Sequence, residues 1–208
     1  MNPEEIYNPM SRYHESNDIH PTAIIYENVL MGKNNRIRAG AIIGGDGEIR
    51  GLAPHEFHGK VVIGDGNSIN EYVTIHRPAS AAASTMIGDN NLIMAHSHIG
   101  HDAQVGSNCE IASGSIIGGH AEIGDGAKIK LGVTIRNRKK IGAGALVGLG
   151  AVVVADVASN DIVVGNPAKP MNGPKMTMKA IIEHEDNGRL PASHRSQQNN
   201  LDDLNPNA

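Results

Sequence analysis

The densest group of chemically capable side chains is the segment Met94-Ala-His-Ser-His-Ile-Gly-His-Asp102, with His120 nineteen residues beyond His101. Imidazoles titrate near neutrality, so a histidine can take a proton from a hydroxyl or amine nucleophile and return it later. Transfer of an acyl group would need such a base, together with N–H donors aimed at a tetrahedral oxyanion; the backbone of Gly119 can supply one. Three imidazoles that leave a coordination position open would instead hold a zinc hydroxide. The residue types admit both chemistries.

Either chemistry requires a scaffold that returns these residues to one face. From Ile87 an aliphatic residue stands at every sixth position, through Ile93, Ile99, Val105 and Ile111 to Val147 and Val153. Glycine follows it in seven of the twelve hexapeptides, and the fifth position is small or β-branched in ten, as at Ser97, Ala103, Cys109 and Ala151. A period of six suits neither a helix nor a two-sided strand. It suits a short flat strand and a corner, repeated as a parallel β-helix. The aliphatic residues stack inside, the small fifth residues share the interior, and glycine eases the corner. Three hexapeptides close one triangular coil, so residues about eighteen apart lie one above the other at roughly 4.8 Å. His101 and His120 therefore fall on neighbouring coils of one face.

The same phase begins at Ile19 and runs through Ile25, Met31, Ile37 and Ile43. It breaks over about residues 46–60, resumes at Ile63, Ile69 and Ile75, and breaks again over about 78–86. Insertions that leave one corner of a repeat array commonly shape a binding face. The expected organisation is an N-terminal lead (1–18), a β-helix (19–158), an exit (159–170), and a C-terminal extension (171–208) with one short helix and a disordered tail.

Composition agrees with one β-helical domain. The chain has 208 residues with 39% hydrophobic but only 2% aromatic, and a β-helix needs little beyond Ile, Val and Ala inside. A net charge of -4 argues against a nucleic-acid partner. The single cysteine, Cys109, allows no internal disulfide and suits a reducing compartment; its inward position predicts a buried packing thiol. No run approaches a membrane span and the N-terminus lacks a basic signal start, so a cytoplasmic location is expected.

Three segments carry a family resemblance. The run Ile69-Asn-Glu-Tyr-Val-Thr-Ile-His-Arg77, the stretch Ile87 to Asp102 with its His-x-x-His-Asp order, and Gly118-Gly-His120 resemble the UDP-N-acetylglucosamine O-acyltransferases of lipid A biosynthesis, over about residues 19–158. That resemblance implies an all-β, left-handed parallel β-helix, although parallel crossovers are generally right-handed. It further implies a homotrimer with active sites in the clefts between subunits. His101 matches the general base and Asp102 the carboxylate that orients it. His98 matches an acceptor contact, His120 a residue near the acyl donor and the oxyanion, and His76 and Arg77 fall in the same substrate-binding motif. No bound cofactor is implied. The acyl donor, an acyl-carrier protein or coenzyme A thioester, is a co-substrate, and the acceptor is a hydroxyl or amino group of a nucleotide-linked sugar.

Several residues depart from that family. The lysine expected in its acceptor loop is displaced, the region reading His55-Glu-Phe-His-Gly59 before Lys60. Arg136 replaces a second cleft histidine, within a basic knot Arg136-Asn-Arg-Lys-Lys140 that would suit donor phosphates. No counterpart of the family's long C-terminal helical domain is expected in the 38 residues after Pro170. The exit Gly165-Asn-Pro-Ala-Lys169 resembles acetyl-CoA-dependent hexapeptide transferases and would place Asn166 and Lys169 beside the donor. Leu149 aligns with the position closing the far end of the family's acyl groove, so a short or medium acyl chain is expected. Two other readings stay open. His76, His96 and His101 resemble the zinc ligands of gamma-class carbonic anhydrases, against which Asn70 stands where a glutamine is expected. A structural β-helix without catalysis is the third.

Overall fold

In the computed structural model, which describes residues 13–171, the hexapeptides wind into a three-walled prism of parallel strands. The lead before residue 13 and the expected helix and disordered tail after residue 171 lie outside the described residues. Nine strands from Asp18–Ile19 to Lys169–Pro170 make the first wall, seven from Ile24–Ile25 to Val152–Val153 the second, and six from Val29–Met31 to Lys140–Ile141 the third. Each strand pairs with the strand one coil on, so Ile93 meets Ile111, Ile99 meets Ile117 and Val105 meets Ile123. Among the described residues only the final pair, Ile162–Val164 with Lys169–Pro170, is antiparallel. Among the described residues the helical content is one 3-10 turn, Pro54–Glu56.

Two-residue strands cannot stand alone; stacking holds them. The inward column of Ile69, Ile93, Ile111 and Ile129 in the first wall is fully buried, as are Ile75, Ile99 and Ile117 in the second. Each such side chain contributes about 1.5–3 kcal/mol when removed from water. Cys109 is buried, its thiol donates to the Gly124 carbonyl at 3.3 Å, and burial pushes its pKa up, as suits a packing residue.

The corners divide two jobs between two positions. Where glycine follows the inward aliphatic it is needed for space: a Cβ at Gly100 would stand 2.6 Å from the nitrogen of Gly119. The left-handed backbone comes two residues later, where Gly40, Gly66, Gly114 and Gly132 alternate with Asn34, Asn90 and Asn108. Tyr72, His96, Asp102, His120 and Arg138 occupy the same slot with positive φ. A larger side chain in that conformation costs roughly 1–2 kcal/mol.

Both insertions leave the corner between the second and third walls. One joins Ile42–Asp46 to Lys60–Ile63 and the other joins Thr74–Arg77 to Ser84–Ile87, so the strands absorb residues at the edges of both expected breaks. At the other end the first wall runs on past residue 158, through Ile162–Val164 paired with Leu146–Val147.

Candidate functional site

The corner carrying the insertions passes, coil by coil, through His76-Arg77, Gly100-His101-Asp102, Gly118-Gly119-His120 and Arg136-Asn137-Arg138. His98 closes the second wall just before it. His76, Arg77, His98, His101, Asp102, Gly119, His120 and Arg136 are thus gathered along one edge of the prism.

His101 and Asp102 form its centre. The Nδ1 of His101 lies 2.7 Å from Asp102 Oδ2, and the two side chains are 16% and 18% exposed. Asp102 is held in turn by its backbone N–H, which donates to Thr85 Oγ1 at 2.9 Å; that hydroxyl donates to the His76 carbonyl at 2.7 Å. The ring of His101 lies over Gly119, where a Cβ would come within 2.8 Å of Nε2. Only glycine leaves that space. Gly119 N–H makes none of the backbone hydrogen bonds that Gly118 and His120 make on either side. His120 crosses His101 edge to face at 5.1 Å, with its Nε2 3.7 Å from Asp102 Oδ2. The ligand atoms of His101, Asp102 and His120 lie within 4.8 Å of one another.

A second ring pair adjoins the first. His76 and His98 meet edge to face at 4.7 Å, and His98 Nδ1 is 2.8 Å from Thr74 Oγ1. Burial lowers both below the ordinary histidine value; neighbouring imidazoles push the same way and the Glu48 carboxylate opposes. Burial also lowers His120, with Asp102 opposing and Arg138 assisting. His76 Nδ1 is buried and has no hydrogen-bond partner among the described residues. Arg77 is committed to Asp46, Nη2 to Oδ1 at 2.7 Å. The chain at Gly47 packs on His101, so the first insertion borders the site.

The expected donor residues do not gather in one protomer. Arg136 lies on the histidine corner, whereas Leu149, 69% exposed, lies on the corner between the first and second walls. Asn166 follows the first-wall strand Ile162–Val164, and Lys169 opens the antiparallel strand Lys169–Pro170 that returns beside it. Of the basic knot, Lys139 and Lys140 pair with Asp156 and Glu122, while Arg138 sits in the left-handed slot one coil beyond His120. Within one protomer the set His76, His96 and His101 is not assembled: His96 stands on the Leu149 corner, stacked on Tyr72.

Sequence reasoning missed Thr85, Thr74 and Glu48. Thr85 had a signal, a hydroxyl at an inward position where Ala103 and Ala121 stand in the next coils. Glu48 had none, because an insertion outside the repeat has no register.

Comparison with known proteins agrees with the repeat and the fold. Residues 84–119 match the profile of bacterial transferase hexapeptide (six repeats). Over 75 residues the chain is 47% identical to an acyl-[acyl-carrier-protein]–UDP-N-acetylglucosamine O-acyltransferase of Gloeothece citriformis, a match covering 35% of this chain and 25% of that one. Over 116 residues it is 36% identical to the equivalent protein of Thermodesulfovibrio yellowstonii, covering 48% of this chain and 45% of the relative. The chain thus spans between a quarter and about half the length of these relatives. The solved structure of a UDP-N-acetylglucosamine acyltransferase from Bacteroides fragilis superposes with a TM-score of 0.72 at 28% identity, covering 85% of this chain and 66% of that one. The coil is a left-handed β-helix, as in these transferases.

Proposed function

We propose that the chain is an acyltransferase that moves an acyl group from a carrier-protein or coenzyme A thioester to a hydroxyl or amine of a nucleotide-linked sugar. The observation that carries this reading is the His101–Asp102 pair at 2.7 Å, with its ring over the bare backbone of Gly119. Asp102 accepts from Nδ1, which leaves Nε2 unprotonated to take the nucleophile's proton as it attacks the thioester carbonyl. The tetrahedral oxyanion would accept from the Gly119 N–H, with His120 beside it. Collapse expels the thiol, and the proton held on Nε2 leaves with it. The lowered pKa values of His76 and His98 keep the acceptor side neutral, so these rings can hydrogen-bond a sugar hydroxyl without repelling a cationic neighbour.

A homotrimer completes the site. The outward residues stacked along the second wall, Ile24, Ile42, Thr74, His98, Ile116, Thr134 and Val152, are uncharged, and its charged strand residues Asp46 and Arg77 pair with each other at the histidine corner, whereas the first wall presents Asp18, Arg36, Glu110 and Lys128. An uncharged wall bounded by the histidine corner on one side and the Leu149 corner on the other fits a ring of three copies, which would face His101 of one with Leu149 of the next. Within that cleft Leu149 would limit the acyl chain, since each methylene left in water forfeits about 0.8 kcal/mol.

Assaying transfer from acyl-carrier-protein and coenzyme A thioesters to UDP-sugars tests the reading, with His101→Ala as the control. No transfer by the wild type to any UDP-sugar from either donor class would defeat it. Leu149→Gly should move the preferred acyl length upward by several carbons. An unchanged preference across an acyl series would remove Leu149 from the groove, and a monomer that retains activity by light scattering would remove the trimer.

A further inference from the structure

On the corner between the first and second walls Tyr72 and His96 form a parallel stack, 5.1 Å between ring centroids and 9° between planes. Both residues occupy the left-handed corner slot, with φ of 57° and 60°, which on this corner is otherwise glycine: Gly40, Gly114, Gly132 and Gly150. Placing a ring there strains the backbone, and burial within the protomer does not compensate, because there Tyr72 is 58% exposed and His96 is exposed as well. Strain of this kind, held at an exposed position, points to a ligand.

The direction of lean shows which face is available. Side chains in this slot fold back over the preceding coil: a Cβ at Gly40 would meet the Tyr72 ring at 2.6 Å, and one at Gly144 would meet the Asn160 amide at 2.5 Å. His96 follows the same rule and lies on Tyr72. The side chain that would cover the other face of His96 belongs to residue 114. That residue is glycine, with nothing within 4 Å of its Cβ position.

We infer that Tyr72 and His96 form a stacking floor for a nucleobase seated over Gly114. The ring interval of 5.1 Å already matches the coil repeat of roughly 4.8 Å, so a third planar ring continues the ladder without adjustment. Leu131, 52% exposed and one coil further on, adds an apolar edge. The stack borders the same uncharged wall as His98, on the side away from His101. In the trimer proposed above, one copy's stack and the next copy's His101 therefore share a cleft. The inference rests on the nucleotide chemistry of that proposal, and two sources fit: the base of the sugar nucleotide, or the adenine of a coenzyme A donor.

Binding can be read without turnover, so the stack and the acyltransferase reading fail separately. Calorimetry and saturation-transfer NMR with UMP, AMP and base-free ribose 5-phosphate are the probes. At least one nucleotide should bind about tenfold or more tightly than ribose phosphate, with its base protons saturated most strongly. His96→Asn restores the residue this slot takes at Asn34 and Asn90, and Gly114→Asn lays an amide over the ring. Each should weaken that nucleotide by about tenfold or more without lowering the melting temperature, while His96→Phe retains binding. Preference for UMP assigns the berth to the acceptor, and preference for AMP assigns it to the donor. Equal nucleotide binding by wild type, His96→Asn and Gly114→Asn would overturn the inference, as would no advantage of either nucleotide over ribose phosphate.

Discussion

Two corners of the same prism, built on the same repeat, spend their polar residues in opposite ways. At the corner between the third and first walls, Asn17, Asn35, Asn67 and Asn91 form a ladder in which each Oδ1 accepts the backbone N–H one coil on, ending at the N–H of Cys109. Outside it, Asp65, Asp89, Ser107 and Asp125 cap the backbone of the coil before. At the corner between the second and third walls the polar residues are histidines in contact with one another, one with an unpartnered buried nitrogen. There too Asp102, His120 and Arg138 take the left-handed slot that Asn108, Gly126 and Gly144 fill on the ladder corner. Hydrogen bonds satisfied within the fold make stability; groups left available at its edge are what a substrate can use.

If that contrast is right, substitutions at the two corners should separate activity from stability. The largest effect belongs to His101→Ala, which should lower turnover by about 10² to 10⁴, the usual range for a lost general base. Its melting temperature should fall by no more than a few degrees, since the ring, though it packs on Gly119 and on the chain at Gly47, lies outside the aliphatic columns of the core. A fall of less than threefold would give the base to another residue.

Asn67→Ala is the converse. Asn67 is 1% exposed, and its removal leaves the Asn91 N–H buried without an acceptor, which costs about 1–3 kcal/mol. Denaturation at fixed protein concentration should show that loss, with turnover per folded molecule unchanged. Lost turnover with full stability would erase the distinction between the corners.

The histidine corner should also impose a pH dependence. Folding lowers His76 and His98 below the unfolded value of 6.5. As pH falls the unfolded chain therefore binds protons first, so stability is fully present above about pH 6.5 and is lost as pH drops through the folded values. Glu48 and Asp46 oppose the shift at His76, Glu48 opposes it at His98, and His101 adds to both. Thermal melts from pH 8 to 5 should decline, and the double variant His76→Gln, His98→Gln should flatten the decline. An equal slope in that variant would place the titration elsewhere.

The smallest effect sharpens the comparison most. His120→Asn puts into the left-handed slot the residue type it takes at Asn34, Asn90 and Asn108, and should raise stability by about 0.5–1 kcal/mol while turnover falls. Stability that falls instead would mean the ring contributes packing beyond its strain.

Much of this molecule was legible before folding was considered. The six-residue phase located the walls and the inward columns, because a β-helix repeats one local geometry and every coil must bury the same positions. The same stacking made the His101 to His120 spacing readable as adjacency. What the phase could not carry was anything that leaves the repeat or crosses it. The Glu48 carboxylate opposes the lowering of His76 and His98 from within an insertion, and Thr85 ties Asp102 to the His76 carbonyl through hydrogen bonds between coils. His96 and His101, five residues apart in the chain, stand on different corners and do different things. Sequence determined which residues return to a wall. Only the closed prism decided which corner each faces, because a turn of the backbone between neighbouring hexapeptides sends adjacent side chains to different sides of the molecule.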